Sequence, residues 1–258
     1  MSKEDFYIGY LPNAPKSISR FVKMVVVVIL VVVAGLGFGF TSLQNEFRPA
    51  TFEFGEYCTY EGIIMEQPYP RLLVKRPGDT GALASYSQYY LATFGKHGAA
   101  EAVAGLDAHN VKFDGSLIYA DNQTMIELAD APVEDLGAAL NRKQLEEARK
   151  LPIEELGEFT LKGEIVDSKC YFGVMNPGHL KVHKACAINC ILGGVPPVFL
   201  TKDKQGNIAY YLLEDEQGNA LNKRILDKIA EPLEIKGKVL KQGDLLVIRA
   251  NPDTYKNL

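Results

Sequence analysis

Three of the chain's four cysteines and two of its four histidines, His179 and His183, fall between Asp167 and Cys190. The order is Asp167-Ser-Lys-Cys170, then His183-Lys-Ala-Cys186-Ala-Ile-Asn-Cys190. Asp167 and Cys170 follow a strand-like run, Phe159-Thr-Leu-Lys-Gly-Glu-Ile-Val166. Tyr171 to Val182 has no periodicity and holds Asn176-Pro-Gly178, so it reads as a loop. A short helix from His183 to Gly193-Gly194 puts His183, Cys186 and Cys190 at i, i+3 and i+7, on one face. The loop can fold Cys170 back over that face.

This residue set permits more than one chemistry. Thiolates with an imidazole suit copper(I), zinc or haem iron, with Cys170, His183, Cys186 and Cys190 as candidate ligands. Asp167 or His179 would complete the set or orient a ligand from behind it. The same sulfurs suit a disulfide from Cys170 to Cys186 or Cys190, with no cofactor at all. That bond would staple loop to helix and contribute roughly 3 kcal/mol by limiting the unfolded chain. The helix cysteine left over would stay free or pair with Cys58, and four cysteines allow three full pairings. Thiol–disulfide exchange is a third use, since His183 and the helix dipole would both favour a thiolate at Cys186.

Composition narrows the function classes. The 258 residues carry a formal net charge of −4, which argues against the basic stripe that nucleic-acid binding needs. Trp is absent, but 13 Tyr and 12 Phe suffice to fill small β cores. There is no Gly-x-Ser-x-Gly, no His-Glu-x-x-His and no Cys-x-x-Cys-His, so no catalytic template and no covalent haem site stand out. Gly95-Lys96-His97-Gly98 could bind an anion through its backbone and lysine, but it lacks phosphate-loop spacing and reads as a loop; His109 reads as exposed. The sequence shows no enzyme.

The elements that must hold the cluster begin with a polar leader, residues 1–23, and an uncharged run from Met24 to Leu43. Twenty such residues, as a helix, span about 30 Å, the hydrocarbon thickness of a bilayer. The Val-rich run would favour a strand in water, but in lipid only a helix satisfies its own backbone. The long leader and the lack of a small-x-small site favour an uncleaved anchor over a signal peptide. Lys16, Arg20 and Lys23 precede the run, while Glu46, Glu53 and Glu56 follow it. This asymmetry predicts an N-terminus in the cytoplasm and the bulk of the chain in the periplasm of a bacterium. Gly35, Gly37 and Gly39 would let another membrane helix pack closely.

Residues 44–130 read as a first β domain, 131–156 as a charged helical linker, and 157–258 as a second β domain carrying the Cys/His insertion. In the first, Tyr57 to Met65 reads as a strand pair around Gly62, and Arg71 to Lys75 as another strand. Ser85 to Ala104 reads as helix and loop, and Val111 to Leu128 as a hairpin turning at Asp121-Asn122. Pro132 starts the linker, with Leu136, Leu140 and Leu145 as its partial apolar stripe. The two domains rhyme: Thr59-Tyr-Glu-Gly62-Ile-Ile with Thr160-Leu-Lys-Gly163-Glu-Ile, and Val111-Lys-Phe-Asp-Gly115 with Leu233-Glu-Ile-Lys-Gly237. A glycine inside a strand marks a bulge or corner. The fold expected is mainly β, with one transmembrane helix followed by two tandem OB-like barrels with short helices.

Gly163-Glu-Ile-Val-Asp-Ser-Lys-Cys-Tyr-Phe-Gly-Val-Met-Asn-Pro-Gly178, with His183-Lys-Ala-Cys-Ala187 and Gly193-Gly-Val-Pro-Pro197, resembles an uncharacterised bacterial family of membrane-anchored exported proteins. Its members carry a similar Val-Asp-x-x-Cys-Tyr…His-Lys-Ala-Cys signature on an OB-like scaffold. Phe6-Tyr-Ile-Gly-Tyr-Leu-Pro-Asn-Ala-Pro15 and Gly95-Lys-His-Gly-Ala99 look like parts of one anchored version. The resemblance implies a scaffold and a location, not an activity. By analogy of architecture it also implies company, because accessory subunits of respiratory membrane complexes are built from one span and a periplasmic β domain. Two expectations follow. One is a non-catalytic accessory or assembly subunit of a respiratory or redox membrane complex, bound to the bilayer and to other membrane subunits. The alternative is a periplasmic protein handling metal, copper above all, or haem through the Cys/His cluster.

Overall fold

The computed structural model describes residues 14–43, 49–76, 86–149 and 153–258. Residues 1–13 of the leader, Glu46 of the charge asymmetry and Pro152 of the linker lie outside the described residues.

Lys16–Leu43 is one continuous helix, α1, with a mean hydropathy of 2.8 over its most apolar window. It starts at Lys16 rather than Met24, directly after Pro15, whose carbonyl accepts from Ser19 N at 2.8 Å. Proline is tolerated at a helix start because its missing N–H would be unpaired there anyway. The helix is long and apolar enough to cross a membrane.

Residues from Pro49 onward form two closed five-stranded barrels. The first contains β1 (Thr51–Phe52), β2 (Cys58–Met65), β3 (Arg71–Lys75), β4 (Tyr86–Thr93), β5 (His97–Gly98), β6 (His109–Ala120), β7 (Gln123–Leu128) and β8 (Glu134–Ala138). Its ring runs β2–β3–β4–β7–β6 and back to β2, with β4 and β7 parallel and every other pair antiparallel. After α2 (Arg142–Arg149) come β9 (Ile153–Asp167), α3 (Lys184–Leu192), β10 (Pro197–Lys202), β11 (Ile208–Glu214), β12 (Leu233–Gln242), β13 (Leu245–Arg249) and β14 (Lys256–Asn257). The second ring, β9–β10–β11–β13–β12, repeats the first, again with one parallel pair, β11 with β13. Alternation drives both: along β6 the side chains of Val111 and Phe113 are buried while Lys112 and Asp114 face out.

The glycine rhyme is structural equivalence, residue for residue. Gly62 pairs with Val111 and Gly115 with Cys58. In the second ring Gly163 pairs with Leu233 and Gly237 with Phe159, so both pairs sit at the same register in the same two strands. A Cβ on Gly62 would run into the carbonyl oxygen of Leu73, and one on Gly163 into that of Leu200. Each barrel therefore needs a bare Cα where its first strand crowds its second.

Three sequence readings change. Ser85 to Ala104 holds strand β4 rather than a helix, because its Tyr-rich start alternates into the barrel wall, with Gln88, Tyr90 and Leu91 buried. Tyr57 to Met65 is a single strand, not a pair. The linker 131–156 is helical only at α2; β8 pairs with β6, and β9 begins at Ile153. Leu140 and Leu145 pack against Ile63, Met65 and Leu73, whereas Leu136, on the exposed strand β8, does not join them. The hairpin turn at Asp121-Asn122 is as expected, with Asp121 in the left-handed region at φ 52°.

The barrels differ most where their first strand meets their second. Residues 66–70 make that link in the first barrel and residues 168–196 in the second. The long link fills the space between barrels: Cys170, Tyr171, Phe172 and Cys190 share one buried cluster with Tyr90, Ile118 and Met125 of the first barrel. The Phe172 ring lies 6.1 Å from Tyr90 and 5.6 Å from Tyr210, centroid to centroid, so it contacts both barrels.

Candidate functional site

Strand β9 ends on Asp167, whose side chain is fully buried. Its Oδ1 accepts from the Cys170 backbone N at 2.7 Å, and its Oδ2 lies 2.9 Å from His183 Nε2. One carboxylate thus fixes both the turn that carries Cys170 and the ring of His183. That turn is one wide helical loop, Cys170–Val174, closed by Met175 N on the Cys170 carbonyl at 3.0 Å. His183 caps α3, and Cys186 and Cys190 follow one turn apart on the helix. Cys170, Cys190 and His183 are buried, and Cys186 is half-buried.

Cys170 Sγ stands 3.9 Å from Cys186 Sγ and 3.9 Å from Cys190 Sγ. All three thiols are free, at nearly twice the length of a disulfide bond, about 2.05 Å. Two sulfurs at about 2.3 Å from one tetrahedral ion are about 3.8 Å apart. The spacing fits thiolates around one ion, as it fits free thiols in hydrogen-bonding contact. Ligand atoms of Cys170, His183 and Cys186 lie within 4.8 Å of one another, as do those of Asp167, Cys170 and Cys190, so the Cys170 sulfur belongs to both groups. The contact of His183 Nε2 with Asp167 is the carboxylate–histidine pairing common behind metal sites.

The thiols interact. The Cys170 thiol is pushed well up by its hydrogen bond to Cys190, by burial and by the Asp167 charge. Cys190, accepting from Cys170, is held below the ordinary thiol value against the opposing effect of its burial.

Two lysines that the sequence reading did not connect with the cluster complete the surroundings. Lys96, from the Gly95–Gly98 loop of the first barrel, places Nζ 3.3 Å from Cys186 Sγ, and this contact raises the lysine's own pKa. Lys169, next to Cys170, is buried; its Nζ donates to the carbonyls of Thr93 at 2.6 Å and Gly95 at 2.8 Å and pairs with Glu127. Gly98 N donates to the Gly193 carbonyl at 2.9 Å, and a Cβ on Gly193 would strike the Lys96 carbonyl. That loop is thus seated on the end of α3. The only hint in the sequence is that Lys169 lies inside the Asp-Ser-Lys-Cys motif.

His179 takes no part in the cluster: its Nδ1 lies 3.1 Å from Glu164 Oε1, and its ring meets Tyr171 edge-on. Cys58 is exposed on β2 and belongs to neither ligand group. His109 Nδ1 lies 2.9 Å from Asp135 Oδ1. A cleft of about 480 Å³ beside Thr93 and Phe94, reaching Leu128 and Pro132, is lined by no thiol and no imidazole.

No family model matches the chain, and no curated protein matches it.

Proposed function

We propose that this chain is a membrane-anchored protein that holds one soft metal ion, zinc or copper(I), on Cys170, Cys186, Cys190 and His183, with Asp167 orienting the histidine. The observation that carries this reading is the position of the Cys170 sulfur, 3.9 Å from each of two other sulfurs. Buried thiols at ion spacing, with a carboxylate-held imidazole beside them, are a closed site of the kind that stores or passes on a metal. The role proposed is metal handling rather than turnover. The Lys16, Arg20 and Lys23 flank of α1 supports a bacterial inner-membrane anchor with the barrels on the periplasmic side.

The test is elemental analysis of the full chain purified in detergent without chelator, paired with intact mass before and after reduction. Near-stoichiometric metal is expected, with loss of most of it in Cys186→Ser. Metal-free protein with Cys170 covalently joined to a helix cysteine would overturn the reading and leave the cluster a staple.

A second reading is supported by α1. Gly35, Gly37 and Gly39 put small residues close together along it. Such a helix accommodates a close-packed neighbour in lipid, as an accessory subunit of a membrane redox complex would require. Native electrophoresis of solubilised membranes distinguishes the cases: co-migration with larger complexes supports it, and migration as a lone chain removes it.

A further inference from the structure

We propose that Lys96 is the residue that balances the charge of the thiol site, so that the first barrel sets how firmly the second barrel's sulfurs hold their ion. The proposal rests on the reading of the thiols as a metal site. Three thiolates, a neutral imidazole and a divalent ion sum to one negative charge, and the Asp167 carboxylate behind His183 adds another. A monovalent ion leaves one more. Excess negative charge in a largely buried site is costly and favours protonation of the thiolates, so that protons compete with the ion for the sulfurs. Lys96 Nζ, 3.3 Å from Cys186 Sγ, supplies the opposing charge at the half-buried sulfur, where solvent and a competing ligand would enter.

The placement does not depend on the Lys96 side chain. Its loop is held from below by Lys169, through the carbonyls of Thr93 and Gly95, and from the side by Gly98 N on the Gly193 carbonyl. Gly193 lets the Lys96 carbonyl approach the end of α3 because it has no Cβ. The first barrel therefore delivers a cation to a fixed point, and removing the ammonium leaves the loop seated. Lys96 is a positioning and charge-balancing residue, not a ligand.

The experiment titrates cobalt(II) into full-length, reduced wild type, Lys96→Met, Lys96→Arg, and Lys204→Met, which removes one charge from a remote turn. The readouts are the sulfur-to-cobalt absorption band and the rate of cobalt loss to a chelator. Lys96→Met is expected to bind several-fold more weakly and to release faster, a modest effect because the ammonium is exposed and partly screened by solvent. Lys96→Arg should restore most of both, and Lys204→Met should match wild type. If wild type itself shows no sulfur-to-cobalt band, the metal reading falls. A normal band in wild type with unchanged affinity and release in Lys96→Met would overturn this inference alone. So would an equal loss in Lys204→Met.

Discussion

His183 Nε2 and Asp167 Oδ2 lie 2.9 Å apart, and both side chains are out of water. A buried carboxylate needs partners for its oxygens, and here the histidine ring and the Cys170 amide supply them. The pairing holds the imidazole at the end of β9, beside the turn that carries Cys170.

The first prediction concerns that pairing. Asp167→Asn keeps the size and one acceptor oxygen but removes the charge that holds the imidazole. Metal affinity should fall about 10- to 100-fold, measured by competition with a chromophoric chelator, while far-ultraviolet circular dichroism stays that of the wild type. Unchanged affinity would show that His183 is not a ligand.

A second prediction concerns the ion pair of Lys169 with Glu127, which joins the insertion to β7 of the first barrel. Lys169→Met strands a buried carboxylate and should destabilise the protein by about 3–5 kcal/mol. Adding Glu127→Gln removes the stranded charge and should return a large part of that loss. Denaturant unfolding of the four-protein set gives the coupling, and a coupling near zero would contradict the pairing.

Third, the two crowding glycines should behave alike. Gly62→Ala and Gly163→Ala each push a methyl group into a neighbouring strand's carbonyl, with an expected cost of about 1–3 kcal/mol. Gly35→Ala on α1, where a Cβ meets nothing within 4 Å, serves as the neutral comparison. Barrel stability should fall in the first two only, read from the denaturation midpoint.

What could be seen in the sequence followed short range and repetition. Gly62 and Gly115, against Gly163 and Gly237, marked two copies of one barrel because each copy meets the same steric demand at the same register. The i, i+3, i+7 spacing of His183, Cys186 and Cys190 marked the helical face, and Asp167 stood close enough in sequence to be named with it. Strand β8 escaped notice because all five of its residues are exposed, so it carries no alternation. The Gly-Ala tail after Thr93 hid β4 in an apparent helix. Lys96 could be named as a cation on a loop but not as a neighbour of the thiols: 90 residues separate it from Cys186, and only the packing of one barrel on the other brings them together.

The equal distances around Cys170 have a chemical consequence of their own. A sulfur uses the same lone pair to hold an ion and to attack another sulfur. Because Cys170 has a neighbour on either side, one oxidation event at this atom withdraws two donors together, and an ion that arrives earlier shields both. Loaded chains should therefore resist oxidants, and oxidised chains should refuse metal until a reductant intervenes. The state of the cluster then records which reagent reached it first.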